Sequence, residues 1–393
     1  MRRLLMIMAL AALAACSKDK NPDTPMKLAP FTAQLKIDKV WEAKVGGTSV
    51  PLRLGLALAV QGERVFAAGE KGEIAAFDVQ TGRRLWRTRT KLPLGGAVGL
   101  SGDRLIIGTT DGDVLYVDAG DGKVLWKVNV GSEILAAPAL SPKLALVRTV
   151  DGKLHALQTT NGHELWQQQQ PVPKLSLRGT GSPVLVGDVA VSGFDNGKVM
   201  AVNLADGSAA WETQVQIPTG KTEIERLSDI DGTALVSGND VYVAGFQGQV
   251  AMLALDNGQI WWSHQMSSYR GLAMDDDALY VSTAEGEVVA LNRRTGTQIW
   301  RQKALGHRRL SGPAVAGNAV VVADYQGYVH WLDRSTGAII GRTRAGKSRY
   351  TNPPVAADGL VLLINDRGQI RAYRTTPIAM AAVQRARATK TGS

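Results

Sequence analysis

Gly72-Glu73-Ile74-Ala75-Ala76-Phe77-Asp78-Val79-Gln80-Thr81-Gly82-Arg83-Arg84-Leu85-Trp86 carries the pattern that decides the fold. Glycine, nine residues, glycine, three residues, tryptophan is the spacing. It returns at Gly112/Gly122/Trp126, Gly152/Gly162/Trp166, Gly197/Gly207/Trp211, Gly248/Gly258/Trp262 and Gly286/Gly296/Trp300. A seventh copy, Gly327/Gly337, has Gly341 in the tryptophan position, and an eighth begins at Gly368 and stops after Tyr373. Successive first glycines lie 40, 40, 45, 51, 38, 41 and 41 residues apart. A period near forty with strand-like content predicts a β-propeller, one four-stranded blade per repeat.

Each repeat reads as strands and turns. Arg64-Val65-Phe66-Ala67-Ala68 is one strand and Glu73-Ile74-Ala75-Ala76-Phe77 the next, with Glu70-Lys71-Gly72 turning between them. Asp78 to Gly82 is a hairpin: Asp bonds its own backbone and Gly supplies the positive φ of a bulged turn. Arg83 to Arg87 is the outer strand, and Leu56 to Val60 is read as the inner one. No helical period separates them. The tryptophans are read as docking rings, one per blade, each contributing ~3 kcal/mol or more. Stacking on a flat cofactor would demand one cofactor for every blade.

The last repeat lacks an outer strand, and Lys39-Val40-Trp41-Glu42-Ala43-Lys44 offers one. Trp41 precedes Trp86 by 45 residues, one repeat length. The expectation is an all-β, eight-bladed propeller of four-stranded antiparallel blades, closed by the N-terminal strand so that no edge stays free. Seven blades is the alternative, should the last repeat not form a full blade.

Arg2-Arg3 precedes an apolar stretch, Leu4 to Ala15, too short to span a bilayer. It reads as a signal peptide over 1–15. Leu13-Ala14-Ala15-Cys16 resembles the lipobox of bacterial lipoproteins, which implies cleavage before Cys16 and its acylation. Ser17 rather than Asp follows, which the same resemblance associates with passage to the outer membrane. A flexible tether is expected over 16–35, the propeller over 36–374, and a basic disordered tail over 375–393 with Arg385, Arg387 and Lys390.

The chain of 393 residues is 45% hydrophobic, enough for one large ring-shaped core, and carries a formal charge of +10. Its cations are scattered and accompany no nucleic-acid motif, so an anionic lipid or acidic partner surface is favoured over nucleic acid. Enzyme signatures fail. The histidines, 155, 163, 264, 307 and 330, have no metal-ligand spacing. Thr219-Gly220-Lys221-Thr222 has Val215 where a phosphate loop needs glycine. Asp275-Asp276-Asp277 reads as a hairpin turn, and no cofactor or metal is expected.

Ala76-x-Asp78-x-x-Thr81-Gly82-x-x-x-Trp86 and Ala290-x-Asn292-x-x-Thr295-Gly296-x-x-x-Trp300 resemble the docking repeat of pyrroloquinoline quinone (PQQ) dehydrogenases, which are eight-bladed propellers. A periplasmic PQQ-dependent dehydrogenase is therefore the alternative function. Many of those enzymes place a disulfide of adjacent cysteines over the quinone, and Cys16 is the only cysteine here. A second resemblance is more specific. The lipobox, the proline-bearing tether and the eight repeats together look like the BamB family, propeller lipoproteins of the β-barrel assembly machinery. Pro173-Lys174-Leu175-Ser176-Leu177-Arg178-Gly179, Thr222-Glu223-Ile224-Glu225-Arg226-Leu227-Ser228-Asp229-Ile230-Asp231 and Gly327-Tyr328-Val329-His330-Trp331 resemble that family's stretches.

The first two of these stretches account for the two longest repeat spacings. Each follows a docking tryptophan, Trp166 or Trp211, so the topology places them side by side on one face. Leu175, Leu177, Arg178, Asp229 and Asp231 are thus a candidate protein-binding patch. The resemblance implies contact with the periplasmic domains of the barrel-forming subunit BamA, with unfolded outer-membrane proteins as further clients. The structural alternative packs the leucines under their loop and pairs Arg178 with Asp229 or Asp231. The expected protein is a non-catalytic scaffold, lipid-anchored at the outer membrane and facing the periplasm.

Overall fold

Among the described residues, eight four-stranded antiparallel blades form the ring; seven run in chain order from innermost to outermost strand, and the eighth takes its outermost strand from the N-terminal side. The computed structural model describes residues 24–47, 54–177, 181–217, 221–222, 224–225 and 227–378. Blade 1 comprises Ala59–Gln61, Arg64–Gly69, Glu73–Asp78 and Arg84–Arg89. Blades 2 to 7 occupy 94–129, 139–169, 184–214, 235–265, 272–302 and 314–344. The middle strands are buried on both sides because a neighbouring blade covers each face, so Val65-Phe66-Ala67-Ala68 reads as a continuous apolar run. Only the outer strand, Arg84–Arg89, alternates toward solvent.

The expected inner strand of blade 1, Leu56 to Val60, is divided in the structure. Ala59–Gln61 pairs with Arg64–Phe66 in blade 1, whereas Gly55–Leu56 runs parallel to Gly96–Ala97 of blade 2. The close approach of backbones at the axis explains the split. A Cβ at Gly55 would lie 2.5 Å from the Leu135 carbonyl and one at Gly96 2.0 Å from that of Ala136, so both paired segments need glycine where the blade 2–3 connection passes.

Seven indoles dock as the spacing predicts. Nε1 of Trp41, Trp86, Trp126, Trp166, Trp211, Trp262 and Trp300 donates to the backbone carbonyl of Val79, Ala119, Thr159, Leu204, Leu255, Arg293 and Arg334, each in the following blade. Each ring also covers the second glycine of that blade; a Cβ at Gly258 would lie 2.5 Å from the Trp211 ring. The second glycine is therefore needed twice. It takes a positive φ, +72° at Gly258, and it makes room for the preceding blade's indole.

Gly341 is resolved by a cross-strand exchange. It pairs directly with Trp331, whereas Trp300 pairs with Ala290. The tryptophan of blade 7 has moved one strand inward, where it is fully buried and meets Tyr373 of blade 8 edge-on at 6.2 Å. Blade 8 is closed as expected: Leu35–Lys44 is its outer strand, paired antiparallel with Gln369–Pro377.

Two expected boundaries move. The last strand continues to Pro377, and the Ile378 amide donates to the Gln34 carbonyl, so Thr375 to Pro377 belong to the ring rather than the tail. Residues 24–34, expected within a free tether, lie along blade 7. Met26 N–H donates to the Gly306 carbonyl and Gln34 N–H to that of Ile340, while Leu28 packs on the blade 6–7 core. Arg308 Nη1 donates to the Met26 carbonyl at 3.0 Å, and Arg342 Nη1 to that of Ala29 at 3.0 Å, with its guanidinium over Phe31. A buried cluster holds both arginines: Arg308 Nε meets Asp324 at 2.7 Å, His330 Nε2 meets the same carboxylate, and Arg342 Nε donates to His330 Nδ1. Burial lowers the His330 pKa, which keeps Nδ1 free to accept. This strap crosses the outer edge of the ring where the docking tryptophan is missing.

Candidate functional site

The ring has two faces. Interblade connections and the turns between the middle strands share one, as the Thr90 amide bonding the Gly72 carbonyl shows. The Gly82-type hairpins occupy the other. Both long connections, 170–183 and 215–234, emerge on the interblade face between neighbouring blades.

A buried glutamine roots each connection. Gln170 Nε2 donates to Glu212 at 2.8 Å, and its oxygen accepts from Asn196. Lys198 beside Glu212, with some opposition from burial, holds that carboxyl below the usual range. Gln216 Nε2 donates to the Phe246 carbonyl at 2.6 Å, and a Cβ at Gly248 would lie 1.6 Å from Gln216 Oε1. The first glycine of blade 5 thus serves the inserted loop as well as its own turn.

The second connection has a turn and a root. Glu225 N–H donates to Thr222 Oγ1, while Lys221 and Thr222 N–H donate to Glu225 Oε2 at 2.7 and 3.1 Å, a reciprocal capping arrangement. That turn leaves Ile224 64% exposed. Leu227 to Ile230 then dive inward, and Ile230 joins the core between blades 4 and 5.

The candidate residues fall into two groups. Leu175 is 42% exposed and Leu177 half-buried. Asp229 is fully buried, and its Oδ2 accepts a hydrogen bond from the Leu177 N–H. The Ser182 amide adds a second tie, to Thr233 Oγ1 at 3.2 Å. Asp229 therefore fastens the loops together from beneath. Asp231 lies at the lip of an axial cavity of about 240 Å³, near Tyr269 and Arg270. Arg178 and Cys16 lie outside the described residues.

Sequence reasoning missed three exposed apolar residues on these connections: Val172, Ile217, which is 72% exposed, and Ile224. Their signal was present as β-branched residues in a segment without strand period, where no core awaits them.

The family model described as outer membrane protein assembly factor BamB matches residues 34–91, 70–302 and 284–376. The chain is similar to the outer membrane protein assembly factor BamB of Pseudomonas aeruginosa, 46% identical over 311 residues, covering 79% of this chain and 82% of that one. It superimposes on the crystal structure of BamB from Moraxella catarrhalis with a TM-score of 0.79 and 27% identity, over 86% of this chain and 100% of that one. A quinohemoprotein alcohol dehydrogenase from Comamonas testosteroni shares the fold alone: TM-score 0.70, 12% identity, 86% of this chain and 76% of that one. Both inserted connections fall inside the matched range, so the chain belongs to the BamB family of outer membrane protein assembly factors.

Proposed function

We propose that this chain is a non-catalytic scaffold in outer-membrane β-barrel assembly, binding the periplasmic domains of BamA through the two inserted connections. The observation that carries this reading is their joint construction: Asp229 holds Leu177 from beneath while Leu175, Ile217 and Ile224 face solvent. Apolar side chains on a preorganised loop cost little to bring to an interface. Asp229 acts as a positioning residue, and Leu175, Leu177 and Arg178 are the contact residues. Unfolded clients add as strands at the outer blade edges, where Ile260 and Trp261 are exposed. Affinity capture of the chain from detergent-solubilised membranes tests this function and should recover BamA. A catalogue of captured proteins without BamA, together with alcohol oxidation on adding PQQ and calcium, would replace the scaffold by the dehydrogenase.

Anchoring at the outer membrane is assigned to acylated Cys16. Cys16→Ser should leave uncleaved or mislocalised precursor, read by mass and by membrane fractionation. A variant that is processed normally and stays in the outer-membrane fraction would defeat the anchor.

A further inference from the structure

The strap determines where the anchored end of the chain leaves the ring. Met26 is held by Gly306 and Arg308, both in the connection between blades 6 and 7, so Thr24 departs at the interblade face. Eight residue steps separate Thr24 from Cys16, at most about 29 Å of fully extended chain. The departure point therefore lies within that distance of any lipid attached to Cys16.

The surface around it is basic. Lys27 of the strap, Lys303 and Arg309 of the blade 6–7 connection, Arg344 and Lys347 at the next connection, and Arg367 in the blade 8 turn are all exposed. None of the six forms an ion pair among the described residues. The neighbouring acids are spoken for: Asp324 is buried against Arg308 and His330, and Asp366 meets Arg349 at 2.7 Å. Exposed Glu285 on blade 6 and half-buried Glu70, which lines a small pocket with Asp366 and Gly368, are the exceptions. Unpaired cations keep their full field toward solvent, and a nearby anionic surface attracts them within a Debye length.

We propose that the blade 7–8 sector of the interblade face rests on the anionic lipid headgroups of the membrane that holds the anchor. The occupant is a lipid surface for two reasons given by the molecule: the charge is complementary, and the leash between Cys16 and Thr24 is too short to keep this sector far from the bilayer. The inference rests on the anchor reading, which the mass of Cys16 tests separately. The inserted connections lie at blades 3 to 5, away from this sector, and stay open to a protein partner.

Vesicle co-sedimentation of the Cys16→Ser mature chain tests the proposal without any acyl contribution. Vesicles of phosphatidylethanolamine and phosphatidylglycerol should retain the chain, and vesicles of phosphatidylcholine should not. Lys303→Gln, Arg309→Gln, Lys347→Gln and Arg367→Gln together should weaken retention about tenfold or more, as should raised salt. Neutralising Arg385, Arg387 and Lys390 of the tail, which follows Pro377 at the hairpin face, should change little. Equal retention on both vesicle types, retention that survives the four changes, or retention lost only with the tail cations would each overturn the proposal. BamA capture by the four-fold variant should remain intact. Loss of capture with no vesicle binding by the parent chain would assign this sector to an acidic protein and defeat the lipid assignment.

Discussion

Deleting residues through Lys44 should abolish cooperative folding of the ring, whereas a chain beginning at Thr24 should melt like the full mature protein. The difference follows from what each cut removes. Leu35–Lys44 pairs with the whole last strand, and Trp41 is 7% exposed, with its ring against Gly82 and its Nε1–H on the Val79 carbonyl at 2.8 Å. Glu42 receives Arg371 Nη2 at 3.0 Å across the same pair. Removal strips an outer strand, uncovers the edge of Gln369–Pro377, and unseats blade 8 from blade 1. Truncating Trp41 alone to Ala should cost about 3–5 kcal/mol, and losing the strand should cost more. A cut before Leu35 separates strap from strand: it removes Met26, Leu28 and two carbonyl acceptors, an expected loss of about 1–3 kcal/mol. Calorimetry on the three truncations should rank them in that order. Indistinguishable melting of the chains starting at Thr24 and at Val45 would mean that the ring closes without its N-terminal strand.

The repeat made the blades legible because glycine and tryptophan answer to local geometry that recurs unchanged. A positive φ at Gly82 and an indole resting on it impose one spacing in every copy. Trp41 was legible as the missing outer strand for the same reason. The exchange between Trp331 and Gly341 was not, because cross-strand pairing is invisible until the register is known. Gly55–Leu56 misled for a related reason: a short apolar run does not say which of two adjacent inner strands it joins. The strap was hidden by composition. Prolines and polar residues over 24–34 read as tether, yet the segment needs only a few carbonyls aimed at Arg308 and Arg342 to bind. At the candidate site, the insertions were found by their length, but the division of labour was not. Asp229 and Leu175 look alike as loop residues in sequence; burial alone separates the residue that fastens from the residue that faces outward.

That division sets the expected result at the partner site. Leu175→Ala with Leu177→Ala should weaken BamA binding by about thirtyfold, the equivalent of ~2 kcal/mol, and Arg178→Ala should act in the same direction. Ile217→Ser with Ile224→Ser should also weaken binding, because both side chains are exposed on the same pair of connections. Leu175, Ile217 and Ile224 are exposed and Leu177 is half-buried, so the melting transition should move little when they are changed. Asp229 should behave differently. Asp229→Ala removes the acceptor for the Leu177 amide at a fully buried position, so binding and stability should fall together. Asp229→Asn retains a carbonyl acceptor for that amide and should recover much of the binding, which a direct charge contact with BamA would not allow. Asp231, at the lip of the axial cavity, reports on whether the interface reaches the ring's axis: Asp231→Ala should reduce affinity only if it does. Arg83→Ala, in a hairpin on the opposite face, serves as the control and should bind normally. Surface-immobilised BamA periplasmic domains and a melting curve for each variant measure both quantities. A folded variant lacking the side chains of Leu175, Leu177, Ile217 and Ile224 that still binds at full affinity would place the BamA contact elsewhere on the ring.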